Sequence, residues 1–196
     1  MIHPDTKLEF ISETKGYGVV ATRRIPKGTI TWVQDNLDTV ISEEKVRQLG
    51  SSYFDIIDTY TFRDSAGNHV LCWDHGKYVN HSFNANCLTT AYNFEIAIRD
   101  IEVGEELTDD YGYLNITSPF HAEDEAVDRK VVYPDDLKTY YPIWDEKLEN
   151  AFQWVNKVPQ ALQHMLNKDQ NEEIEAVLNG HKKLESILNC YYESDK

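Results

Sequence analysis

The stretch from Tyr78 to Asn86 reads Tyr-Val-Asn-His-Ser-Phe-Asn-Ala-Asn, and that from Gly104 to Gly112 reads Gly-Glu-Glu-Leu-Thr-Asp-Asp-Tyr-Gly. In the first stretch, three polar residues at positions 80–82 follow an aromatic segment and do not fit the alternation of a strand. Taken alone, they are typical of a polar turn whose Asn and Ser side chains bond to the local backbone. In the second, a tyrosine stands beside a glycine at the end of a charged turn. The two stretches in this order decide how the rest of the chain is interpreted.

In this order the two stretches resemble the motifs of the SET-domain protein lysine methyltransferases. The resemblance implies an α+β fold, mostly β, with several small sheets and one stretch threaded beneath the other like a pseudoknot. It implies that Tyr78, Asn80 and His81 bind S-adenosyl-L-methionine. Tyr111 would lie at the point of methyl transfer, in contact with both cofactor and substrate. The expected reaction is methyl transfer to the side-chain amine of lysine in a protein.

The N-terminal region adds to the resemblance. Gly16, Tyr17 and Gly18 precede a β-branched run, and a Pro-Lys-Gly turn at 26–28 leads into a second strand at 29–33. A lone Gly-x-Gly is most often only a turn. Followed by this turn and strand, it resembles the opening of a SET domain. The resemblance implies that the backbone of Gly16, Tyr17 and Gly18 approaches the methionine part of the cofactor.

The middle of the chain supplies a second candidate for the catalytic site. Residues 53–62 are rich in aromatic and β-branched residues and predict one or two strands, followed by a hairpin turn at 64–68. Residues 92–98 alternate like an edge or hairpin strand. Tyr60 matches a family tyrosine that lines the lysine channel. An ordinary strand aromatic is an equally good interpretation of Tyr60.

After Asn115 the hydrophobic pattern becomes helical. Apolar residues between Trp144 and Val155 predict a helix that begins after Pro142, and residues 161–166 predict a second, short helix. A further apolar face runs from 174 to 191. His181 lies on this face and is most simply interpreted as part of it rather than as a ligand. This face continues through Gly180, which either weakens the helix by up to about 1 kcal/mol or breaks it.

The sequence therefore predicts two parts: a SET domain at 1–117, and a degenerate post-SET segment with a helical C-terminal cap at 118–196. The cap would close the cofactor and lysine sites, with Phe120 and Tyr133 covering the adenine. The alternative is a dimerisation tail, which would make a homodimer through the C-terminal helices.

The sequence departs from the family pattern at the zinc site and beside the tyrosine. Phe83 stands where relatives often have a Cys, and Ala122, Asp124 and Asp128 lie near the positions of three further Cys ligands. Because a structural zinc needs four ligands, we expect no metal. Asp109 stands where the family commonly has the Phe or Tyr that limits the number of methyl groups added. The methylation state of the product is therefore left open.

Charge and composition restrict the partners. The net charge is −15, shared as −8 over residues 1–117 and −7 over residues 118–196. Such a distribution argues against phosphate-backbone binding and suits a basic protein or peptide carrying the target lysine, although it also serves solubility alone. The sequence has no membrane-spanning run, and its three widely spaced cysteines suit a reducing compartment. We expect a cytoplasmic protein, or a nuclear one in a eukaryote; export as an effector stays open.

Two function classes compete on this evidence. The first is an S-adenosylmethionine-dependent protein lysine methyltransferase. The second is a SET-like module that has lost catalysis and binds a basic partner through its acidic surface. The presence of Asn80, His81 and Tyr111 together favours the enzyme.

Overall fold

The computed structural model describes residues 1–123 and 125–193 of the chain. Up to residue 110 it consists mainly of short strands, with one helical insertion. The strands are β1 (Thr6–Ser12), β2 (Gly16–Ala21), β3 (Ile30–Val33), β4 (Thr39–Ile41), β5 (Thr61–Arg63), β6 (His69–Leu71), β7 (Asn80–His81), β8 (Cys87–Thr89), β9 (Phe94–Ala97) and β10 (Glu106–Asp109). Two short helices, α1 (Glu43–Leu49) and α2 (Phe54–Tyr60), lie between β4 and β5.

These strands form several small sheets rather than one large sheet. Their orders are β1-β2-β10-β7, β3-β9-β8 and β4-β6-β5. Strand β10 is antiparallel to β2 and parallel to β7, with Thr108 opposite Asn80 and Asp109 opposite His81. The N–H of Ser82 also donates to the Asp109 carbonyl over 2.9 Å. The two motif stretches, far apart in sequence, are therefore neighbours, and the α+β fold of small sheets is confirmed.

The C-terminal part is mostly helical. Its elements are β11 (Phe120–His121), which pairs with β12 (Val131–Val132), then α3 (Asp136–Phe152) and α4 (Lys168–Leu178), with single 3-10 turns at Gln163–Met165 and Ile187–Cys190. Helix α3 packs on the sheets: the Trp144 ring meets the Tyr113 ring edge-on at 5.4 Å, and Phe152 lies 6.4 Å from Phe94. Full burial of such side chains is worth roughly 1.5–3 kcal/mol each. The apolar face of α3 is thus covered by the same chain.

The structure contradicts the prediction of strands over residues 53–62. Residues Ser51–Tyr53 form a 3-10 turn and α2 follows, so only Thr61 and Phe62 of the predicted strands are extended. Helix α2 buries Ile57, and the Thr61 hydroxyl donates to the Ile57 carbonyl over 2.7 Å to close its C-terminal end. Tertiary packing of one apolar side chain here outweighs the β propensity of the aromatic residues.

Two predictions for the C-terminal part are also wrong in detail. Helix α3 begins at Asp136, so Pro142 lies inside it, where Pro removes one backbone hydrogen bond. Residues 161–166 contain only a 3-10 turn. Of the two alternatives for Gly180, the structure has the break: α4 ends at Leu178, and Gly180 takes the left-handed conformation, with φ 72°.

Strand β9 matches one of the two alternatives predicted for residues 92–98, the hairpin strand, and not the other, the edge strand. It lies between β3 and β8 and is buried along its whole length, since both faces are covered. Its hairpin partner is β8. None of the helices in the described part of the chain is long and apolar enough to cross a membrane.

Candidate active site

The Gly16–Gly18 segment is held beside β7 by a side-chain amide. Asn80 Nδ2 donates to the Tyr17 carbonyl over 3.1 Å and to Glu106 Oε1 over 2.7 Å. A Cβ on Gly18 would collide with that Glu106 carboxylate and stand 2.9 Å from Asn80 Nδ2. Glycine is therefore required at position 18 for this close approach. Gly16 has φ 73° and makes the turn into β2.

His81 is a neutral side chain with one unused donor. Its Nδ1 accepts the Tyr111 backbone N–H over 3.2 Å, which places the ring proton on Nε2. Nε2 is buried and has no hydrogen-bond partner among the described residues. Burial, followed by the charges of Arg129 and Lys15, lowers the pKa of His81 to about 3. A buried donor without a partner is costly, so this position is suited to a bound acceptor.

Tyr111 begins a 3-10 turn, and its hydroxyl points back toward β7. The turn is capped by Asp110, whose Oδ1 accepts the Gly112 N–H over 2.9 Å. The Tyr111 hydroxyl donates to the Val79 carbonyl over 3.0 Å. Burial, assisted by the charges of Asp109 and Glu106, raises the pKa of Tyr111, so its hydroxyl stays protonated at neutral pH.

A wide cleft of about 670 Å³ lies over these residues, within the size range of small-molecule sites. Phe120 of β11 forms part of its wall and packs 5.5 Å from the His81 ring and 5.4 Å from the Tyr111 ring. The wall includes Lys15, Thr61, Asn80, His81, Tyr111, Leu114 and Phe120. Phe120, Asn80 and His81 thus line one space.

A narrow cavity of about 100 Å³ adjoins the wide cleft. The two spaces share six wall residues: Asp58, Thr59, Thr61, Tyr111, Leu114 and Ile116. The narrow cavity has room for several groups the size of a water molecule. The wall includes Trp32, Tyr60, Phe62, Lys77, Val79, Glu95, Asp109 and Tyr111. Tyr60 and Tyr111 therefore line the same cavity. Because Tyr111 belongs to both walls, it stands at the junction of the two spaces.

The other predicted site residues lie at the margin. The Tyr78 ring packs edge-on against Tyr60 at 5.5 Å and belongs to neither wall. Tyr17 is 53% exposed and contributes its carbonyl to Asn80. Tyr133, expected to cover the adenine, is 53% exposed and lines neither space. Phe120 is therefore the aromatic residue of the post-SET segment that reaches the cleft.

The segment after Phe120 is fastened by polar contacts that the sequence did not predict. Glu125 Oε2 accepts the Ser82 hydroxyl over 2.8 Å and the Phe83 N–H over 2.9 Å. Arg129 bridges the buried carboxylates of Asp110 and Asp136. No three potential metal ligands cluster within residues 1–123 and 125–193, and Phe83 and Ala122 offer no ligand atom; Asp124 lies outside the described residues. The side chains present do not fit a structural zinc.

This arrangement can hold two reactants in adjoining spaces. The wide cleft would hold one reactant under Phe120 and against His81, and the narrow cavity would take a slender group beside Tyr60. The two spaces share Tyr111, whose hydroxyl is bonded to the carbonyl of Val79 in the wall of the narrow cavity. Such positioning is the main requirement of a group transfer between two bound molecules.

Comparison with known protein families finds a match. The family model of the SET domain matches residues 16–112 of this chain. N-lysine methyltransferase KMT5A-A of Xenopus laevis is 33% identical over 113 residues, which are 50% of this chain and 33% of that protein. Histone-lysine N-methyltransferase trr of Drosophila melanogaster is 32% identical over 127 residues, which are 59% of this chain and 5% of that protein. The chain thus spans a third or less of the length of these relatives.

Proposed function

Because the chain belongs to the SET-domain protein lysine methyltransferase family, we propose that it transfers a methyl group from S-adenosyl-L-methionine to the side-chain amine of lysine in a basic protein or peptide. The observation that carries the proposal is the position of Tyr111 at the junction of the wide cleft and the narrow cavity. Two reactants bound in these adjoining spaces would meet at this side chain.

The wide cleft suits the cofactor because Asn80, His81 and Phe120 line it together. Gly18 lies outside its wall and packs closely against Asn80 and Glu106. Bound in this cleft, S-adenosylmethionine would supply an electrophilic methyl group on a sulfonium. Asn80, His81 and the backbone of 16–18 would hold it, and Phe120 would exclude water from the adenine side.

The narrow cavity fits a lysine side chain. Its aromatic walls, Tyr60 and Phe62 among them, disfavour a charged amine and so lower the pKa of an amine that enters. At the junction, the oxygens of Tyr111 and Val79 would stabilise the positive charge that moves from sulfur to nitrogen. The transfer needs no covalent intermediate on the protein.

Calorimetry tests the cofactor half of the proposal. Chelator-treated protein should bind S-adenosylhomocysteine saturably, and elemental analysis should find no stoichiometric zinc. Gly18→Ala should weaken binding by tenfold or more, because its Cβ displaces Glu106 and Asn80. Gly104→Ala is the control for exchanging glycine for alanine without a collision: Gly104 has a positive φ, unlike Gly18, and a Cβ there meets nothing within 4 Å. Equal affinity in both variants would remove the Gly16–Gly18 segment from the cofactor site.

Labelled methyl transfer tests the activity and separates the two function classes. The protein is incubated with methyl-labelled S-adenosylmethionine and a panel of basic proteins, and labelled residues are mapped. An enzyme labels lysine. A binding module retains a basic protein on the acidic surface but leaves every protein unlabelled. The cytoplasmic or nuclear location and a homodimer through the C-terminal helices stay predictions.

A further inference from the structure

The turn that follows β7 presents three hydrogen-bond donors to one acceptor outside it. The Ala85 N–H donates to the Ser82 carbonyl over 3.2 Å and closes the turn. The Ser82 hydroxyl and the backbone N–H groups of Phe83 and Asn84 are directed at a single oxygen atom from another part of the chain. Because this turn comes directly after His81, its geometry bears on the position of the His81 ring.

Glu125 supplies the acceptor for all three donors. Its Oε2 accepts the Ser82 hydroxyl over 2.8 Å, the Phe83 N–H over 2.9 Å and the Asn84 N–H over 3.4 Å. The Asn84 N–H is shared with Ser82 Oγ at 3.0 Å. Hydrogen bonds to a carboxylate are roughly twice as strong as those between neutral groups. One side chain of the post-SET segment therefore holds three successive residues of the first motif stretch.

The same turn places an aromatic ring against His81. The Phe83 ring meets the His81 ring edge-on, with 4.4 Å between the ring centres. The His81 ring also lies 5.3 Å from the Tyr111 ring and 5.5 Å from the Phe120 ring. Phe83 thus packs on His81 together with two other aromatic rings, and its position depends on the turn that Glu125 holds.

The chain on either side of the turn is fixed independently of Glu125. Before the turn, β7 pairs with β10. After it, the Asn86 side chain accepts the Thr108 N–H over 2.9 Å and donates to the Glu106 carbonyl over 2.8 Å. Loss of the Glu125 carboxylate should therefore loosen the turn and leave the fold in place.

We propose that Glu125 is a positioning residue of the cofactor site, which holds the turn at 82–84 so that Asn80 and His81 keep the arrangement in which they bind S-adenosylmethionine. Glu125 also forms part of the wall of the wide cleft. The inference rests on the proposed function and adds a residue whose effect falls on cofactor affinity. Because Glu125 acts through the turn, methyl transfer at saturating cofactor should change little.

The size of the effect follows from the population of the ordered turn. If the cofactor binds only when the turn is ordered, its apparent Kd rises by the factor by which that population falls. Loss of the hydrogen bonds to a charged acceptor should reduce the population about tenfold. The coupling is reciprocal, so bound cofactor must strengthen the contact between Glu125 and the turn by the same factor.

Calorimetry with S-adenosylhomocysteine tests this coupling. Glu125→Ala should raise the Kd about tenfold, and Glu125→Gln, which keeps one acceptor oxygen, should raise it less. In steady-state kinetics, the KM for S-adenosylmethionine should rise in the same order while kcat changes by less than about threefold. An unchanged Kd in Glu125→Ala would overturn the proposal.

Asp64→Ala is the matched control. Asp64 Oδ1 likewise accepts two backbone N–H groups of one turn, those of Ala66 and Asn68, each over 2.9 Å, but Asp64 lines neither space. Its loss should leave the Kd unchanged, whatever it costs in stability. An equal rise of the Kd in Asp64→Ala and Glu125→Ala would mean general destabilisation and would overturn the proposal. Absence of S-adenosylhomocysteine binding by the wild-type protein would instead refute the proposed function.

Amide hydrogen exchange on the wild-type protein tests the reciprocal effect without any variant. Saturating S-adenosylhomocysteine should slow exchange of the Phe83 N–H about tenfold more than that of the Ala66 N–H, which the Asp64 side chain holds in the control turn. NMR resolves the two amides. Equal slowing of both amides, or no slowing of the Phe83 N–H, would contradict the coupling between Glu125 and the cofactor.

Discussion

His81 shows how burial sets the protonation state of a single side chain. Its pKa is about 3 in the folded protein because burial excludes the charged form, whereas an exposed His titrates near 6.5. Asn80 and His81 could be chosen from the sequence as a pair. The hydrogen bond from the Tyr111 N–H to His81 could not be predicted, because it depends on the pairing of β7 with β10. This bond leaves Nε2 as the free donor of the ring.

The lowered pKa of His81 gives the stability a definite pH dependence. A base whose pKa is depressed on folding contributes stability above its unfolded pKa, and this is lost as the pH falls toward the folded pKa. From pH 6.5 to about 3, His81 should therefore lower the free energy of unfolding by about 1.4 kcal/mol per pH unit. Denaturant titrations at several pH values measure this slope. His81→Gln should flatten it, and an unchanged slope would mean that His81 titrates normally.

Glu95 and Asp109 mark the limit of sequence reasoning at this scale. The unusual Asp109 was visible beside Tyr111, but nothing in the pattern around Glu95 pointed to a site. Glu95 lies in a short strand for which alternation predicted an edge or a hairpin, and the structure buries it between β3 and β8. A buried carboxyl can be recognised only once its neighbours are known.

At the scale of elements, the post-SET segment is fastened by charged side chains. Arg129 links Asp110, which caps the Tyr111 turn, to Asp136 at the start of α3, and its guanidinium lies 4.7 Å from the Phe83 ring centre. Burial raises the pKa of Asp110, and Arg129 opposes that rise. From the sequence, only the lack of zinc ligands was visible. The bridge of Asp110, Arg129 and Asp136 could not be predicted, because its three residues come from separate elements.

Arg129→Met tests this contact. It should destabilise the protein by about 3–5 kcal/mol, because two buried carboxylates lose their shared cation. Thermal unfolding measures the loss. Arg23→Met is the control, since Arg23 is exposed and 3.6 Å from Asp5; it should stay within about 0.5 kcal/mol of the wild type. Equal stability of the two variants would show that the Arg129 bridge contributes little.

Secondary structure was predictable where pattern and packing agree. Local residue types predict the turn after β2, the hairpin between β5 and β6 and the helical face near Trp144. They do not predict helix α2: its aromatic and β-branched residues favour a strand, and the structure has a helix that buries Ile57. For the end of α4, the sequence left open whether Gly180 weakens or breaks the helix, and the structure has the break. A sequence pattern cannot weigh such alternatives.

At the scale of the whole molecule, the two predicted parts are packed on each other. Trp144, Leu148 and Phe152 belong to the same buried cluster as Phe94 and Tyr113. Truncation after Asn115 should therefore give a protein that fails to fold or loses S-adenosylhomocysteine binding at every concentration. Size-exclusion chromatography and calorimetry report the outcome. A folded, cofactor-binding monomer would contradict the cap and favour a dimerisation tail.

The central claim, lysine methylation through Tyr111, is tested most directly by one mass measurement. The protein is mixed with deuterated-methyl S-adenosylmethionine and a basic protein that it labels, and fragment masses locate the added methyl group. The wild type should place it on the side-chain nitrogen of lysine. Tyr111→Phe removes only the hydroxyl and should slow transfer by about 10²-fold or more while cofactor affinity changes little. Equal transfer by the two proteins, or methyl groups found on residues other than lysine, would contradict the claim.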